Sequence, residues 1–139
     1  LSVQPLLAGL SSDELAELAA IGAVRNYKAG ESIVTAGTPA ASIFFLRSGA
    51  VLVTLPGGVR LATLTAGTAF GEMALLEPTR SADVTADMAA TAYEIPLGEF
   101  ERFRTLHPRA GERIMRNLAQ LLAERLIVAN TKIDLLTSS

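Results

Sequence analysis

The 139-residue sequence predicts a mainly β member of the α+β class, a barrel or jelly roll flanked by helices, and three observations lead there. Between residues 23 and 95, short β-rich runs follow one another at even spacing, divided by glycine-led turns. Before residue 22 and after residue 96 the apolar period is helical instead. Half of the residues are apolar and only 19% are charged, a composition that builds a packed core rather than a disordered chain.

The length fits one domain, residues 1–139, able to bury most of the surface its unfolded chain exposes. It divides into N-terminal helices (1–22), a β body (23–95) and C-terminal helices (97–138). A net charge of −2 gives no basis for a nucleic-acid surface. With no cysteine, disulfides, thiolate catalysis, cysteine-ligated zinc and iron–sulfur clusters are excluded within the chain. No apolar run approaches the ~18 residues of a membrane span, and no basic-then-apolar leader opens the sequence. A chain that begins at Leu1 reads as a piece of a longer, cytoplasmic protein.

In chain order, a short helical piece is expected around residues 3–7. Leu10-Ser11-Ser12-Asp13-Glu14-Leu15 then carries a full helix start: Ser11 and Glu14 form a capping box, and Leu10 can staple onto Leu15. Gly22 stops this helix. Strands are predicted at 24–27, 32–35, 43–47, 51–55, 59–64, 82–86 and 91–95. Pro56-Gly57-Gly58 between two of them is the best hairpin signal. After Pro96, Phe100, Phe103 and Leu106 mark one face of a short helix that Pro108 interrupts. A long helix follows, from about 110 to 136. Leu122, Leu126, Ala129, Ile133 and Leu136 recur at spacings of four and three, a coiled-coil-like seam. Beside it runs a second stripe: Ile114, Leu118, Leu121, Arg125 and Val128. Either one stripe packs on the barrel while the other meets a partner helix or a ligand, or both wrap one broad core face.

Residues 70–84, Phe-Gly-Glu-Met-Ala-Leu-Leu-Glu-Pro-Thr-Arg-Ser-Ala-Asp-Val, form the stretch with chemistry in it. Gly71 lacks a Cβ, so a ligand can come close to its backbone. Residues 72–76 favour a helical turn, and Pro78 ends it. The orphan amides at the start of such a turn suit an anion. Arg80 supplies a permanent, fork-shaped cation, and Ser81 a hydroxyl donor. Glu72 is a poor partner for phosphate but a good acceptor for a sugar hydroxyl. With an apolar wall from Phe70, Leu75 and Leu76, the set points to a nucleotide of low charge. Standing alone, a nearby Glu and Arg are more often a solvated surface pair.

Phe70-Gly71-Glu72, Ala74-Leu75-Leu76 and Arg80-Ser81-Ala82 together resemble the phosphate-binding cassette of cyclic nucleotide-binding domains, the family of catabolite activators, cAMP-dependent kinase regulatory subunits and cyclic-nucleotide-gated channels. The resemblance extends over nearly the whole chain. It implies an eight-stranded jelly roll with the cassette between two strands. It also implies that Glu72 meets the ribose 2′-hydroxyl and that Arg80 pairs with the cyclic phosphate. The segment Glu77-Pro78-Thr79 is shorter than in many members. The expected ligand contacts are Phe70, Gly71, Glu72, Met73, Ala74, Leu75, Arg80, Ser81 and Ala82, with Arg125 and Asn130 near the base, because the family's last helix closes over it.

The ligand expected from the resemblance is 3′,5′-cyclic AMP, with cyclic GMP the alternative; no other cofactor and no metal is expected. The stretch 123–133 is also similar to domains fused to bacterial glutaminases and sulfate-type transporters. Three functions follow: a sensor module of a larger enzyme, transporter or channel; the sensor half of a transcription factor of the catabolite-activator type; or a degenerate member that serves only for interaction. The expected partners are the nucleotide, other domains of the parent chain, and a second copy through the long helix; neither nucleic acid nor membrane is expected for this stretch itself. His107, the single histidine, reads as a helix-boundary residue, and no nucleophile–base set can be assembled, so catalysis by the chain itself is not expected.

Overall fold

The computed structural model describes residues 4–137, with side chains over residues 4–124. A 3-10 turn, Pro5–Leu7, precedes helix α1, Ser12–Ile21. Eight antiparallel strands follow in two four-stranded sheets. One sheet has the order β1 (Ala23–Tyr27), β8 (Ala90–Pro96), β3 (Ser42–Ser48) and β6 (Ala69–Phe70). The other has the order β2 (Ser32–Val34), β7 (Asp83–Ala86), β4 (Ala50–Thr54) and β5 (Arg60–Thr65). Helices α2, Leu97–Leu106, and α3, Pro108–Thr137, close the chain. This is the jelly roll with terminal helices that the sequence led us to expect.

Strand β3 explains how the layers fit. Side chains alternate across a strand, yet Ser42–Leu46 is buried throughout because both faces are covered. Phe44 and Leu46 point into the barrel with Val51, Phe70, Val84 and Ala92. Ile43 and Phe45 point the other way, into a core with Leu6, Leu7, Leu18, Phe100, Phe103, Ile114 and Leu118. The helices thus cover the outer face of the first sheet. The stripe Ile114–Leu118 packs there, and Asn117 ties α3 to the N-terminal turn through bonds to the carbonyls of Leu6 (3.0 Å) and Ala8 (2.8 Å). Of the predicted seam, Leu122 packs against this same core, and the positions from Leu126 to Leu136 lie outside the described side chains.

The start of α1 is as read from the sequence: the Glu14 amide donates to Ser11 Oγ (3.2 Å), and the Ser11 amide donates to Glu14 Oε1 (2.8 Å). Leu10 and Leu15 pack against the same core. Removing the cap with Ser11→Ala is expected to lower unfolding free energy by about 1 kcal/mol, measured by urea denaturation. The hydrogen bond from the Ser11 amide is the first cause that holds the Glu14 carboxyl below its usual value. A lowered carboxyl stabilises the fold above the ordinary carboxylate range, and that contribution fades as pH falls through the lowered value.

Four local readings gain detail or change. Gly22 ends α1 in extended conformation, φ −113° and ψ −177°, not in a left-handed cap. A Cβ there would meet Tyr93 Cε1 at 2.5 Å and the Glu94 carbonyl at 2.8 Å, so close approach to β8 is its reason. Leu106 is exposed, and the buried face of α2 consists of Phe100 and Phe103. Pro108 opens α3, where its missing N–H costs nothing. His107, between the helices, contacts the Glu17 carboxylate of α1 and tilts against the Phe103 ring at 4.8 Å, so it links elements. Among the described residues no helix is long and apolar enough to cross a membrane.

Candidate functional site

The 70–84 stretch folds as β6, a single 3-10 turn (Glu72–Leu75), and a connection into β7. Gly71 opens the turn in left-handed conformation, φ +74°, which favours glycine. A Cβ there would lie 2.9 Å from Arg80 Nη1 and 3.2 Å from Phe44 Cδ2. The glycine therefore permits both the turn and the seating of the arginine. Its carbonyl accepts from the Ala74 amide (3.1 Å) and from Arg80 Nη1 (3.0 Å).

The short Glu77-Pro78-Thr79 connection is fastened to the segment before β3. The Ala40 amide donates to the Pro78 carbonyl (2.9 Å), the Arg80 amide to the Thr38 carbonyl (2.8 Å), and the Gly37 amide to the Arg80 carbonyl (2.9 Å). Pro39 and Thr79 form a β-bridge between them. This small ladder, not the length of the connection, sets where Arg80 leaves the backbone.

The Arg80 side chain then runs into the barrel. Nη2 donates to the Ser42 carbonyl at 2.6 Å, and the guanidinium lies 5.9 Å from the centre of the Phe44 ring. Phe44 in turn stacks on Phe70, with centroids 4.8 Å apart and planes parallel within 1°. Burial pushes the pKa of Arg80 down, while the carboxylates of Glu72 and then Glu94 push it back up. An arginine remains a cation under these opposing effects. A guanidinium carries five N–H donors, of which these bonds to Gly71 and Ser42 use two.

Arg80 lines a cavity of about 760 Å³. Phe70, Gly71, Glu72, Met73, Ala74, Ser81 and Ala82 share that cavity with it. Glu72 is only 6% exposed, a carboxylate held inside the protein. The far walls are apolar: Val34, Val53, Leu61, Ala62, Leu64 and Val84 from the second sheet and its flanks. Leu121 and Glu124 of α3 reach the cavity from the helical side. A space of this size suits a drug- or nucleotide-sized molecule.

Most expected contacts meet at this cavity; some do not. Leu75 packs against the core beneath the helices, and Leu76 is half exposed. Successive side chains of a 3-10 turn diverge by about a third of a turn, so Ala74, Leu75 and Leu76 cannot all face one ligand. Of the predicted apolar wall only Phe70 lines the cavity, and β2, β4, β5 and β7 supply the rest. The Ala74 amide closes the turn onto Gly71. Arg125 and Asn130 lie outside the described side chains. Glu124 was missed because a lone charge on a helix reads as solvated. The available signal was its spacing of three from Leu121, which shares its face.

A family model described as a cyclic nucleotide-binding domain matches residues 24–107. Over all 139 residues the chain is 74% identical to glutaminase 1 of Bradyrhizobium diazoefficiens, and over 138 residues it is 52% identical to glutaminase 2 of the same organism. It spans only 23% and 22% of those two proteins. The catabolite activator protein of Thermus thermophilus is a structural neighbour, with a TM-score of 0.79 and 32% identity; the match covers 96% of this chain and 63% of that one.

Proposed function

Since this chain belongs to the cyclic nucleotide-binding domain family, we propose that it is the ligand-sensing domain of a glutaminase-type parent enzyme and that its ligand is 3′,5′-cyclic AMP. One observation carries this reading: a half-buried guanidinium and a buried carboxylate, Arg80 and Glu72, line the same largely apolar cavity. An anion site alone has no use for Glu72. A ring phosphate beside a ribose hydroxyl uses both.

In this reading Arg80 and the Ser81 hydroxyl hold the phosphate, with the amides near Gly71, Leu75 and Ala82. Glu72 accepts from the ribose 2′-hydroxyl. The base lies against the apolar walls and beneath α3, beside Leu121 and Glu124, and Arg125 and Asn130 are proposed as its further contacts. One cation suits a ligand with a single negative charge. Domain limits of 1–139, with the cassette at 70–84, are part of the same proposal. Catalysis belongs to the rest of the cytoplasmic parent, and a second copy pairs through α3 beyond Leu122, which itself packs on the chain's own core.

The titration that tests this is calorimetry of the chain with cyclic AMP and with cyclic GMP. Saturable binding is expected for both, tighter for cyclic AMP; heat from neither nucleotide rejects the reading. Occupation is expected to draw the 3-10 turn inward and repack α2 and α3 over the barrel mouth. Such a switch moves only as far as the ligand's affinities for the two states differ. Amide exchange across residues 110–136 should slow with nucleotide bound, and identical exchange rejects the lid. A sensor half of a transcription factor is the second reading, favoured by the likeness to the Thermus activator. The greater identity to the two glutaminases weighs against it.

A further inference from the structure

Arg80 is held by the carbonyls of Gly71 and Ser42, so what fixes Ser42 helps to fix the cation. The register of the first sheet shows what does. Phe44 of β3 pairs with Glu94 of β8, and Ser42 shares the face of Phe44 two residues earlier. Glu94 therefore stands diagonally across from Ser42 on the inner face of the sheet, within reach of a long side chain. Ser42 Oγ donates to Glu94 Oε2 at 2.7 Å. The other carboxylate oxygen, Oε1, accepts from Arg25 Nε of β1 at 3.0 Å. Arg25 faces the same way, since it pairs with Ala92, two residues from Glu94 on β8.

The chain of contacts is thus Arg25, Glu94, Ser42 and Arg80, and it crosses three strands of one sheet. Nothing in the cassette chemistry requires a carboxylate on β8 or a serine at the start of β3. A purely apolar pair at these positions would satisfy the barrel core. We infer that Glu94 is a positioning residue for the ligand-binding cation: it grips the Ser42 side chain, and the Ser42 carbonyl holds Arg80 with its remaining N–H groups toward the cavity. Glu94 acts through Ser42 and through its charge on Arg80, and it does not line the cavity. Arg25 is the outer arm that holds the carboxylate in place. The inference rests on the proposed cyclic-nucleotide site for its functional consequence, while its structural half concerns Arg80 alone.

The test uses Ser42→Ala, Glu94→Gln, the double variant and Ser42→Thr. In the ligand-free chain, the side-chain N–H resonances of Arg80 should shift or broaden in Ser42→Ala and Glu94→Gln, and return in Ser42→Thr, which keeps the hydroxyl. Cyclic AMP affinity should fall about three- to tenfold in each single variant, with the double variant no weaker than the worse single one, as for groups acting in one network. A mere loss of packing would lower the melting temperature without moving the Arg80 signals, and Thr would not rescue it. Unchanged Arg80 signals and unchanged affinity in both single variants overturn the inference. Absence of cyclic AMP binding by the wild-type chain overturns the functional reading; the Arg80 signals then still decide whether Glu94 positions the cation.

Discussion

Arg80→Ala is expected to weaken cyclic AMP binding by roughly ten- to a hundredfold, the equivalent of losing a hydrogen bond to a charged group, about 1.5–3 kcal/mol. The guanidinium is half-buried, lies against the Phe44 ring and is anchored by the carbonyls of Gly71 and Ser42. The variant also removes the donor to the Ser42 carbonyl. The Gly71 carbonyl keeps its bond from the Ala74 amide. A modest fall in melting temperature should therefore accompany the loss of affinity, without unfolding of the chain. Arg80→Lys keeps the charge but not the fork, because one ammonium cannot reach two carbonyls and a phosphate together. It should bind between wild type and Arg80→Ala. Calorimetry on the three proteins, with melting curves beside it, measures both effects. Equal affinity in all three would remove Arg80 from the site.

The second large effect concerns the fold. Phe100→Ala is expected to cost about 3–5 kcal/mol, the range for a fully buried phenyl ring removed from a close-packed core. A domain of this size has about 5–15 kcal/mol in total. Phe100 is 0% exposed, in the cluster that joins Ile43, Phe45 and Ile95 of the barrel to Leu7, Leu18 and Ile114 of the helices. Losing it should loosen α2 from the sheet and with it the seat of α3. Urea unfolding should show a lower midpoint at nearly the same slope. Amide exchange over 110–124 should quicken before exchange in β3 does. A loss below about 1 kcal/mol would mean that the site collapses around the gap, and that α2 does not hang on this ring.

Much of this architecture is legible in the sequence. Alternation gave seven strands, and an eighth, Ala69–Phe70, was missed because two residues carry no period; its pairing with Phe44 and Phe45 creates it. The Ser11–Glu14 box was readable because both partners lie within one turn. The cassette was readable because glycine, glutamate, proline and arginine at fixed spacing each have a local physical meaning. Less legible were the side-chain directions inside the 3-10 turn, where Leu75 and Leu76 turn away and leave the cavity wall to Phe70 and to β2, β4, β5 and β7.

The amino-acid order alone determined the class of fold, the helix start, the turn at Gly71 and the residues proposed to hold a singly charged nucleotide, because those readings depend on neighbours a few positions apart. The tertiary structure decided where the arginine points. Its backbone is clamped by Gly37 and Thr38, and its guanidinium by Ser42, which Glu94 grips from 52 residues away. Hydrogen bonds that span strands so distant in sequence leave no periodic trace in it, and only the closed barrel brings them together.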